Sequence, residues 1–389
     1  MPSSIPATAV IVGSGIVGAA TAYFLTQSGV KVTLLDAAAP AAEATGAADG
    51  AVSVASKRPG PMMIAALSGV ALYRQLASAG LFADIFKSRS TFMVAASDEE
   101  GKVLHAHAAA LAGAGVRVEL LAEDDMRQRL PALSSRAQLA VEVHDEGHAI
   151  GYQIVHRLLT AAGILVKRAS PVRAILPGAG KGAAGVVTED GEVKADAVIV
   201  AAGNGSAALL GLERILTPRK GQLLVTERAP GLHATLPGSI MSCRYLLSKG
   251  SQKGGAVAPR GLGLVIDPLR TGQFLIGGTR EDHGDRRTND LDAVMRILAQ
   301  AVALVPDLAG IRLLRSFAGV RTAVADGLPL VGRIPGYDNA FIATGFEGDG
   351  ICLGPIIGQT LANVVCGAEP AIDLRPFDPS RFLSREVAP

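Results

Sequence analysis

The sequence predicts an α/β protein in which a parallel-sheet domain is assembled from three stretches, with an inserted α+β domain built on a mixed antiparallel sheet. Two observations support this prediction. Up to Asp36 the chain follows strand, helix and strand patterns around a glycine-rich turn, and glycine-punctuated α/β patterns return in the middle and at the end. Between them lie short β-rich runs and one long amphipathic helix. A chain of 389 residues is long enough to bury two cores.

The first domain begins with a βαβ unit. Its strands are ATAVIVG and VKVTLLD, and its helix is GSGIVGAATAYFLTQSG, which ends at a glycine. A second helix is predicted from Pro61 to Leu81. The domain resumes with a helix-period pattern around HDEGHAIGYQIVHRLLTAAG, a strand in ILVKRASPVRAIL, and a hairpin with an Asp-Gly turn in GVVTEDGEVKADAVIVAAG. We therefore assign residues 1–85, 140–215 and 316–389 to it.

The second domain is predicted over residues 86–139 and 216–315, where the chain becomes more polar and its elements become shorter. An amphipathic helix in DLDAVMRILAQAVALV is expected to cross its sheet. The Gly- and Lys-rich segment Lys249–Gly263 is typical of a solvated turn at a hairpin. The predicted strands are GQLLVTE, RYLLSK, GLGLVID and QFLIGGT.

Composition excludes several classes of protein. The 37 basic and 35 acidic residues give a net charge of +2 without any block of like charge, which argues against a nucleic-acid partner. The 3 cysteines contain no Cys-x-x-Cys pair, which excludes a disulfide scaffold, a zinc ribbon and a self-held iron–sulfur cluster. No basic leader precedes the first apolar run, and no run reaches the roughly 18 apolar residues of a membrane span. We expect a cytoplasmic protein without a transmembrane segment.

The first glycine motif predicts a dinucleotide site. Gly13, Gly15 and Gly18 form G-x-G-x-x-G between a predicted strand and helix, which is the context that gives this pattern its meaning. The first glycine allows the tight turn, the second allows a pyrophosphate to approach the backbone, and the third allows close helix–strand packing. Asp36, at the end of the second strand, is positioned to accept a hydrogen bond from a ribose hydroxyl. The alternative is a glycine-rich turn in an α/β core with a solvated aspartate.

Further glycine-rich turns favour a flavin over a nicotinamide cofactor. They follow predicted strands at 44–50, 201–207 and 343–355. A nicotinamide enzyme needs one such turn, whereas an extended flavin dinucleotide contacts several chain segments. Each turn alone is ordinary chemistry for the end of a strand, but the three together indicate a flavin.

These segments, in this order, resemble the D-amino-acid oxidase and glycine oxidase family of FAD-dependent oxidoreductases over essentially the whole chain. The runs Lys57–Pro61, Gly278–Asp282 and Gly345–Gly358 are similar to those of one branch. That branch contains the flavoprotein β subunits of heteromeric dehydrogenases, namely D-hydroxyproline dehydrogenase, octopine and nopaline oxidases, L-proline dehydrogenase and hydrogen cyanide synthase. The resemblance implies a FAD-binding Rossmann-like first domain and a substrate-binding second domain.

The resemblance also implies which residues hold FAD. Gly13, Gly15 and Gly18 with Asp36 would bind the ADP half, and the turn at Thr45–Asp49 would reach the pyrophosphate and flavin. The backbone of Val172 would meet adenine, and the turn at Ala202 and Gly203 would close over the pyrophosphate. A helix that starts at Gly348–Ile351 would direct backbone N–H groups to the flavin pyrimidine and stabilise the anion of the reduced flavin. The alternative is an ordinary helix start after a glycine, without a role in cofactor binding. The complete predicted set is Gly13, Gly15, Ile16, Val17, Gly18, Asp36, Ala37, Thr45, Ala48, Asp49, Gly50, Val172, Ala202, Gly203, Gly348, Asp349, Gly350 and Ile351.

A carboxylate clamp for the substrate follows from the same resemblance. In AGVRTAVADGLPLVG, Arg321 matches an arginine that makes a bidentate pair with an amino-acid carboxylate, although Thr322 follows where proline is usual. The alternative is an ion pair between Arg321 and Asp326. Tyr245 matches a tyrosine that reaches the substrate. The alternative is that Tyr245 packs against a side chain of a neighbouring strand. Other residues to consider are Arg280 and Glu281, which would line the same pocket or form surface ion pairs, and Phe346, which replaces a common histidine of the active-site wall.

Two further patterns carry no prediction of chemistry. His144 and His148 are spaced like metal ligands, but the glycine between them favours a turn, so no metal is assigned. Cys352 lies close to the flavin segment, where a covalent link would be conceivable, but a small buried thiol is the usual finding.

The residues and the resemblance together predict a FAD-dependent dehydrogenase that oxidises the C–N bond of an amino acid, opine, hydroxyproline or proline by hydride transfer to flavin N5. It would pass electrons to α and small iron–sulfur partner subunits. An FMN shared at a subunit interface is a further option. Association with the membrane would occur only through such a complex. One alternative is a self-sufficient glycine or D-amino-acid oxidase that uses oxygen. Another is a non-catalytic flavin-binding scaffold subunit.

Overall fold

The computed structural model describes residues 5–246 and 261–385 and contains a parallel sheet that extends the predicted βαβ unit. This first sheet contains β1 (Thr8–Val12), β2 (Lys31–Leu35), β10 (Ala197–Val200), β16 (Leu330–Arg333) and β17 (Ala340–Thr344). The strand order is β16-β17-β10-β1-β2, and each pair is parallel except β16 with β17. The carboxyl ends of β1, β2, β10 and β17 therefore meet at one edge, where ligands of open parallel sheets bind.

The second sheet is larger and mixed. Its order across the described residues is β15-β11-β14-β13-β12-β4-β6-β3, with β5 beside β6. Most neighbours are antiparallel, whereas β12 and β4 are parallel. The strands of this order are, by residue range, β3 (Ala51–Val52), β4 (Phe86–Ala95), β5 (Val118–Leu121), β6 (Leu139–Ala149), β11 (Leu216–Thr226), β12 (Ser239–Ser242), β13 (Gly261–Pro268), β14 (Phe274–Arg280) and β15 (Leu313–Val324).

A small antiparallel sheet carries the predicted hairpin. It consists of β7 (Val172–Pro177), β8 (Ala183–Thr188) and β9 (Gly191–Lys194). Thr188 pairs with Gly191, so residues 189–190 form the turn of the hairpin. The predicted Asp-Gly turn, at residues 190–191, lies one position further along the chain.

Helices lie around these sheets, and local sequence signals explain where several of them begin. Ser97 caps one helix by accepting from the Glu100 N–H, and Asp290 caps another through the Asp292 N–H. The helices are α1 (Ile16–Gln27), α2 (Pro61–Ser78), α3 (Asp98–Gly113), α4 (Glu123–Arg129), α5 (Gly151–Ala161), α6 (Gly205–Leu210), α7 (Pro230–His233), α8 (Leu291–Leu304) and α9 (Gly350–Val365).

Two glycines bring α9 into close contact with α1. A Cβ on Gly354 would lie 2.7 Å from Ile16 Cγ2, and a Cβ on Gly358 would lie 2.5 Å from Ala20 Cβ. Ile16, Ala20 and the inward side of α9 are buried in the same core. This contact fixes the beginnings of both helices at the edge where the parallel strands end.

The predicted fold class is confirmed, and so are the predicted elements of the βαβ unit, α2 and α8. The RYLLSK strand is wrong, because Arg244–Leu246 are helical and the rest lies outside the described residues. The turn predicted at His144–His148 is wrong as well, because this segment pairs with neighbouring strands as part of β6. Of the predicted strand ILVKRASPVRAIL, only the part from Val172 is in β7.

The predicted domain boundaries stay a prediction. The larger sheet includes β3, β6 and β15, which lie within or across the stretches predicted for the first domain. Of the predicted hairpin turn at Lys249–Gly263, residues 249–260 lie outside the described part of the chain, and Gly261–Gly263 belong to β13. No helix within the described ranges is long and apolar enough to cross a membrane.

Candidate active site

A cavity of about 570 Å³ extends from the edge of the parallel sheet to one face of the mixed sheet. At the first end it is lined by residues that follow β1, β2, β10 and β17, including Gly13, Asp36, Gly203 and Gly345. At the other end it is lined by β11, β13, β14 and β15. The cavity therefore joins a nucleotide-type edge to a wall made by a second sheet, as an extended cofactor with a separate substrate would require.

The tight turn at Gly13 and the close packing at Gly18 are observed as their spacing predicts, whereas the approach of a pyrophosphate to Gly15 stays a prediction. Gly13 has a φ of +102°, and a Cβ there would overlap the Ala201 carbonyl. A Cβ on Gly18 would overlap the Gly13 carbonyl, so this glycine allows α1 to pack on the turn. Gly15 faces the cavity, where a Cβ would lie 3.2 Å from Thr45 Oγ1.

Asp36 is held at the cavity by the backbone around it. Its Oδ2 accepts hydrogen bonds from the Ser14 N–H at 2.7 Å and the Ser14 hydroxyl at 2.6 Å, and its Oδ1 accepts from the Ala38 N–H at 2.8 Å. The Asp36 carbonyl accepts from the Ser170 N–H at 2.9 Å, which brings Val172 to the same wall. The glycine motif does not single out Ser14 from the sequence, because its hydroxyl acts through a residue 22 positions away.

The turn at residues 44–50 lies against the beginning of α1. Thr45 Oγ1 accepts a hydrogen bond from the Ile16 N–H at 3.1 Å. A Cβ on Gly319 would lie 2.5 Å from Ala47 Cβ, so β15 packs directly on this turn. Gly50, with a φ of +91°, leaves room for the Ala149 carbonyl and His148. The turn therefore forms one side of the cavity between the two sheets.

The beginning of α9 forms the opposite side. A Cβ on Gly348 would meet no heavy atom within 4 Å, so the backbone is open there. Asp349 does not line the cavity, because its Oδ1 accepts from the buried ammonium group of Lys57 at 2.5 Å. Burial would lower the pKa of Lys57, but the charge of Asp349 outweighs it and raises that pKa. The ion pair fixes the first turn of α9 without occupying the cavity.

Arg321 lies on the wall formed by β15. Its Nη1 donates to the Thr279 carbonyl at 3.2 Å, and a Cβ on Gly221 would lie 2.7 Å from its Nη2. The absence of a side chain at Gly221 therefore leaves space for the guanidinium group. The alternative pairing with Asp326 is not observed, since Arg381 contacts Asp326 at 2.8 Å. Thr322 continues β15 by pairing with Pro218.

Tyr245 and Arg280 meet near Arg321 on the cavity wall. Arg280 Nη2 donates to the Tyr245 hydroxyl at 3.2 Å, and its guanidinium carbon lies 5.2 Å from the centre of the tyrosine ring. Arg280 lines the cavity and also lies 3.5 Å from Glu347 Oε1, so it has both a pocket position and an ion pair, and its role toward a substrate stays a prediction. Burial would raise the pKa of Glu347, but Arg280 and Arg219 together lower it. Glu281 does not line the cavity and accepts from Gln222 and Thr279.

Two carboxylates that line the cavity have raised pKa values, namely Asp49 in the turn at residues 44–50 and Asp267 on β13. Burial and the neighbouring charge of Asp267 raise the pKa of Asp49, and burial raises the pKa of Asp267. Asp267 Oδ1 accepts from Arg89 Nη2 and from the Ser239 hydroxyl, each at 2.5 Å. The motifs in the sequence do not point to Asp267 or Arg89. The only signal is a charged residue within the apolar strand GLGLVID.

The residues considered as metal ligands, and the cysteine considered for a covalent link to the flavin, make other contacts. His148 Nε2 lies 2.8 Å from the Asp49 carbonyl, so it does not join His144 as a ligand pair. His144 lies instead beside Glu119 and Glu142, and Arg129 donates to both carboxylates. Cys352 is 2 % exposed, and burial raises the pKa of its thiol to about 12. We assign no metal to these groups.

Most of the predicted site residues line the same cavity. The three predicted substrate residues all do, and Phe346 does as well. Gly18, Gly50 and Asp349 do not, and each acts through packing or an ion pair as described above. The predicted cofactor residues that line it are Gly13, Gly15, Ile16, Val17, Asp36, Ala37, Thr45, Ala48, Asp49, Val172, Ala202, Gly203, Gly348, Gly350 and Ile351.

The backbone of this cavity fits FAD. Gly15, Gly203 and Gly348 offer backbone without side chains at the surfaces where the pyrophosphate and flavin would lie. The beginnings of α1 and α9 both line this space, and the positive end of a helix dipole favours an anionic ligand such as a pyrophosphate. Asp36 is positioned for a ribose hydroxyl, so these residues could hold a flavin dinucleotide.

Comparison with known proteins agrees with this fit. The family model described as FAD dependent oxidoreductase (DAO) matches residues 8–364. A glycine oxidase from Pseudomonas aeruginosa is 28% identical over 397 residues, which cover 96% of this chain and 99% of the relative. The hydrogen cyanide synthase subunit HcnC from Pseudomonas protegens is 27% identical over 429 residues, which cover 97% of both chains.

A solved structure has the same fold over nearly the whole chain. The crystal structure of glycine oxidase from Geobacillus kaustophilus superposes with a TM-score of 0.84 at 26% sequence identity. The superposition covers 97% of this chain and 99% of that one. The fold of this chain is therefore shared with that glycine oxidase over nearly its whole length.

Proposed function

Because the chain belongs to the FAD dependent oxidoreductase (DAO) family, with FAD as its cofactor, we propose that it oxidises the C–N bond of an amino acid or an N-substituted amino acid. The proposed substrates are of the opine, hydroxyproline or proline type. The coarser activity, FAD-dependent oxidation of amino acids, is common to the relatives named glycine oxidase. The finer substrate class is the one that the resemblance to the flavoprotein β subunits of heteromeric dehydrogenases implies, and the residues of the cavity wall support a substrate with a carboxylate.

The position of the Arg321 guanidinium group is the observation that supports this proposal most directly. Among the described residues no carboxylate forms an ion pair with this guanidinium group, which lies at the cavity wall and donates one hydrogen bond, to the Thr279 backbone carbonyl. A planar guanidinium fork matches a carboxylate bidentately, and a half-buried position strengthens the pair. The substrate of this cavity would therefore carry a carboxylate bound by Arg321.

The residues around Arg321 would orient the substrate. FAD, when bound, supplies the hydride acceptor for the carbon next to the substrate nitrogen. Tyr245 presents a hydroxyl that Arg280 holds in place at 3.2 Å, and Phe346 adds an apolar surface that excludes water. Fixing the carboxylate at one end leaves few orientations for the C–H bond, and such positioning supplies much of the rate acceleration. The imine product hydrolyses in water without help from the protein.

The proposed electron acceptor is a partner subunit that carries FMN or an iron–sulfur centre. One relative is named as a subunit of hydrogen cyanide synthase, which supports a heteromeric assembly. The three cysteines of this chain could not hold a cluster, because Cys243 and Cys352 are buried at separate places. The glycine oxidase relatives favour the second candidate, a self-sufficient oxidase that passes electrons to oxygen.

One experiment tests the proposal. The purified holoprotein is titrated anaerobically with proline, hydroxyproline, octopine, nopaline, sarcosine and glycine while its visible spectrum is recorded. We expect at least one of these compounds to bleach the flavin absorbance. If none does while the protein carries stoichiometric flavin, a non-catalytic scaffold becomes the better account. Peroxide formation by the isolated chain in air would favour the oxidase over the dehydrogenase.

A further inference from the structure

Pro355 interrupts the backbone hydrogen bonding of α9 shortly after the helix begins. In a regular helix the N–H of residue 355 would donate to the carbonyl of Ile351, four positions earlier. Proline has no N–H, so this hydrogen bond cannot form. Both residues are buried, and a buried carbonyl without a donor is unfavourable. The Ile351 carbonyl therefore needs a donor from another part of the chain.

Tyr73 on α2 supplies that donor. Its hydroxyl donates to the Ile351 carbonyl at 2.8 Å, although the two residues are 278 positions apart. The tyrosine is fully buried, and the centre of its ring lies 5.5 Å from that of Phe82 and 5.4 Å from that of Phe86. Burial raises the pKa of the hydroxyl, which therefore keeps its proton and can donate. The hydroxyl takes the place of the N–H that Pro355 lacks.

Two further contacts hold α2 against the same turn of α9. A Cβ on Gly69 would lie 2.4 Å from the Cys352 carbonyl oxygen, so the missing side chain allows the two helices to approach closely. The Cys352 thiol donates to the Ala66 carbonyl at 3.6 Å. Ala66, Gly69 and Tyr73 are three and four residues apart, so they share one face of α2. This face fixes the position of the first turn of α9.

The first turn of α9 lines the cavity at Gly350 and Ile351. The Leu353 N–H donates to the Asp349 carbonyl at 3.0 Å, and the N–H groups before it have no acceptor within the helix. One of these is the N–H of Cys352, which shares a planar trans peptide with the Ile351 carbonyl. The two groups point in opposite directions. The hydrogen bond that fixes the carbonyl therefore also fixes the direction of this N–H, towards the beginning of the helix.

From this geometry we propose that Tyr73 is a positioning residue for FAD, which holds the first turn of α9 in place of the backbone N–H that Pro355 lacks. The N–H groups of this turn form the positive end of the helix dipole. In the orientation that Tyr73 fixes, they stabilise the anionic reduced flavin more than the neutral oxidised flavin, which raises the reduction potential of bound FAD. Tyr73 acts through the turn, because its side chain is fully buried.

A double-mutant cycle tests this role. Tyr73→Phe removes the hydroxyl and keeps the ring, and Pro355→Ala restores a backbone N–H for the Ile351 carbonyl. The reduction potential of the bound flavin is measured for the wild-type holoprotein, both single variants and the double variant by anaerobic reduction against a reference dye. The stability of each protein is measured by urea denaturation.

We expect Tyr73→Phe to weaken the binding of reduced FAD three- to tenfold relative to that of oxidised FAD. For a two-electron couple this ratio lowers the reduction potential by about 15–30 mV. In the Pro355→Ala background the same substitution should leave the potential unchanged, because the restored N–H bonds the Ile351 carbonyl. The matched control is Tyr23→Phe in α1, which removes a hydroxyl that no described residue contacts by a hydrogen bond and should keep the wild-type potential.

The potential separates this role from a purely structural one. If Tyr73→Phe lowers the stability but leaves the potential at the wild-type value, the proposal is wrong. It is also wrong if Tyr73→Phe lowers the potential equally in both backgrounds, because the hydroxyl then does not replace the missing N–H.

A Tyr73→Phe protein that loses its FAD is still informative. In that case Pro355→Ala is compared with the double variant: equal flavin content and equal potential support the proposal, and loss of FAD from the double variant alone contradicts it. The dye reduces the flavin without a substrate. A failure of every amino acid to bleach the flavin would therefore overturn the proposed function and leave this proposal intact.

Discussion

Lys57 and Asp349 form a buried ion pair 2.5 Å long that joins the segment before α2 to the first turn of α9. The two residues are 292 positions apart in the chain. The Lys57 side chain is 7% exposed, and the Asp349 side chain is 21% exposed. Because Gly348 and Gly350 flank this aspartate and line the cavity, the pair controls the geometry of the surface predicted to meet the flavin.

Replacing Lys57 with Met is expected to weaken both folding and FAD binding. Breaking one partner of a buried pair leaves an uncompensated charge, which costs about 3–5 kcal/mol. Chemical denaturation and FAD titration measure the two losses. The double variant Lys57→Met/Asp349→Leu should recover much of the stability but not all of the FAD affinity. A single variant as stable as the wild type would show that the pair has no structural role.

The glycine of the motif that packs α1 gives a second prediction. Gly18→Ala should lower the free energy of unfolding and the FAD affinity, because its Cβ would overlap the Gly13 carbonyl. The matched control is Gly101→Ala in α3, where a Cβ would meet nothing within 4 Å. That change should stabilise the protein by about 0.5–1 kcal/mol, since alanine loses less conformational freedom than glycine in a helix. Equal effects of the two substitutions would contradict the packing role of Gly18.

His148 gives a prediction for the dependence of stability on pH. Burial lowers its pKa to about 4, below the value near 6.5 of an unfolded histidine. Between these pH values the unfolded chain binds more protons, so the His148 contribution is lost as pH falls from about 6.5 towards 4.

The variant His148→Asn isolates this contribution. Its side-chain amide can still donate to the Asp49 carbonyl, but it does not titrate. We expect the wild type to lose more stability than the variant between pH 7 and pH 4.5, as measured by urea denaturation of both apoproteins. Parallel pH profiles for the two chains would show that His148 binds a proton as readily in the folded state as in the unfolded chain, which would contradict this prediction.

The parts of the site that depend on short segments could be predicted from the sequence. Gly13, Gly15 and Gly18 lie between a strand and a helix, so their roles follow from local chain geometry. The beginning of α9 could be predicted in the same way, because an apolar helical run follows a cluster of glycines. These features need no knowledge of which distant strands meet.

The parts that depend on pairing between distant strands could not be predicted. Asp267 reaches Arg89 across 178 residues, and only the order of β13, β12 and β4 brings them together. Tyr245 lies in a helical turn even though its sequence favours a strand, because β12 ends at Ser242. The β6 segment at His144–His148 is likewise held by its neighbours in the sheet and overrides a local turn signal.

The affinity of the Arg321→Leu variant for a carboxylate ligand shows whether this guanidinium group binds the carboxylate of the substrate. Hexanoate is titrated into the wild-type and variant holoproteins, with the flavin content of each measured first. Because removing one partner of a desolvated charge pair costs about 2–5 kcal/mol, we expect the variant to bind hexanoate about 30-fold more weakly or worse, with flavin content unchanged. Hexanoate binding of equal affinity in the two proteins would contradict this expectation.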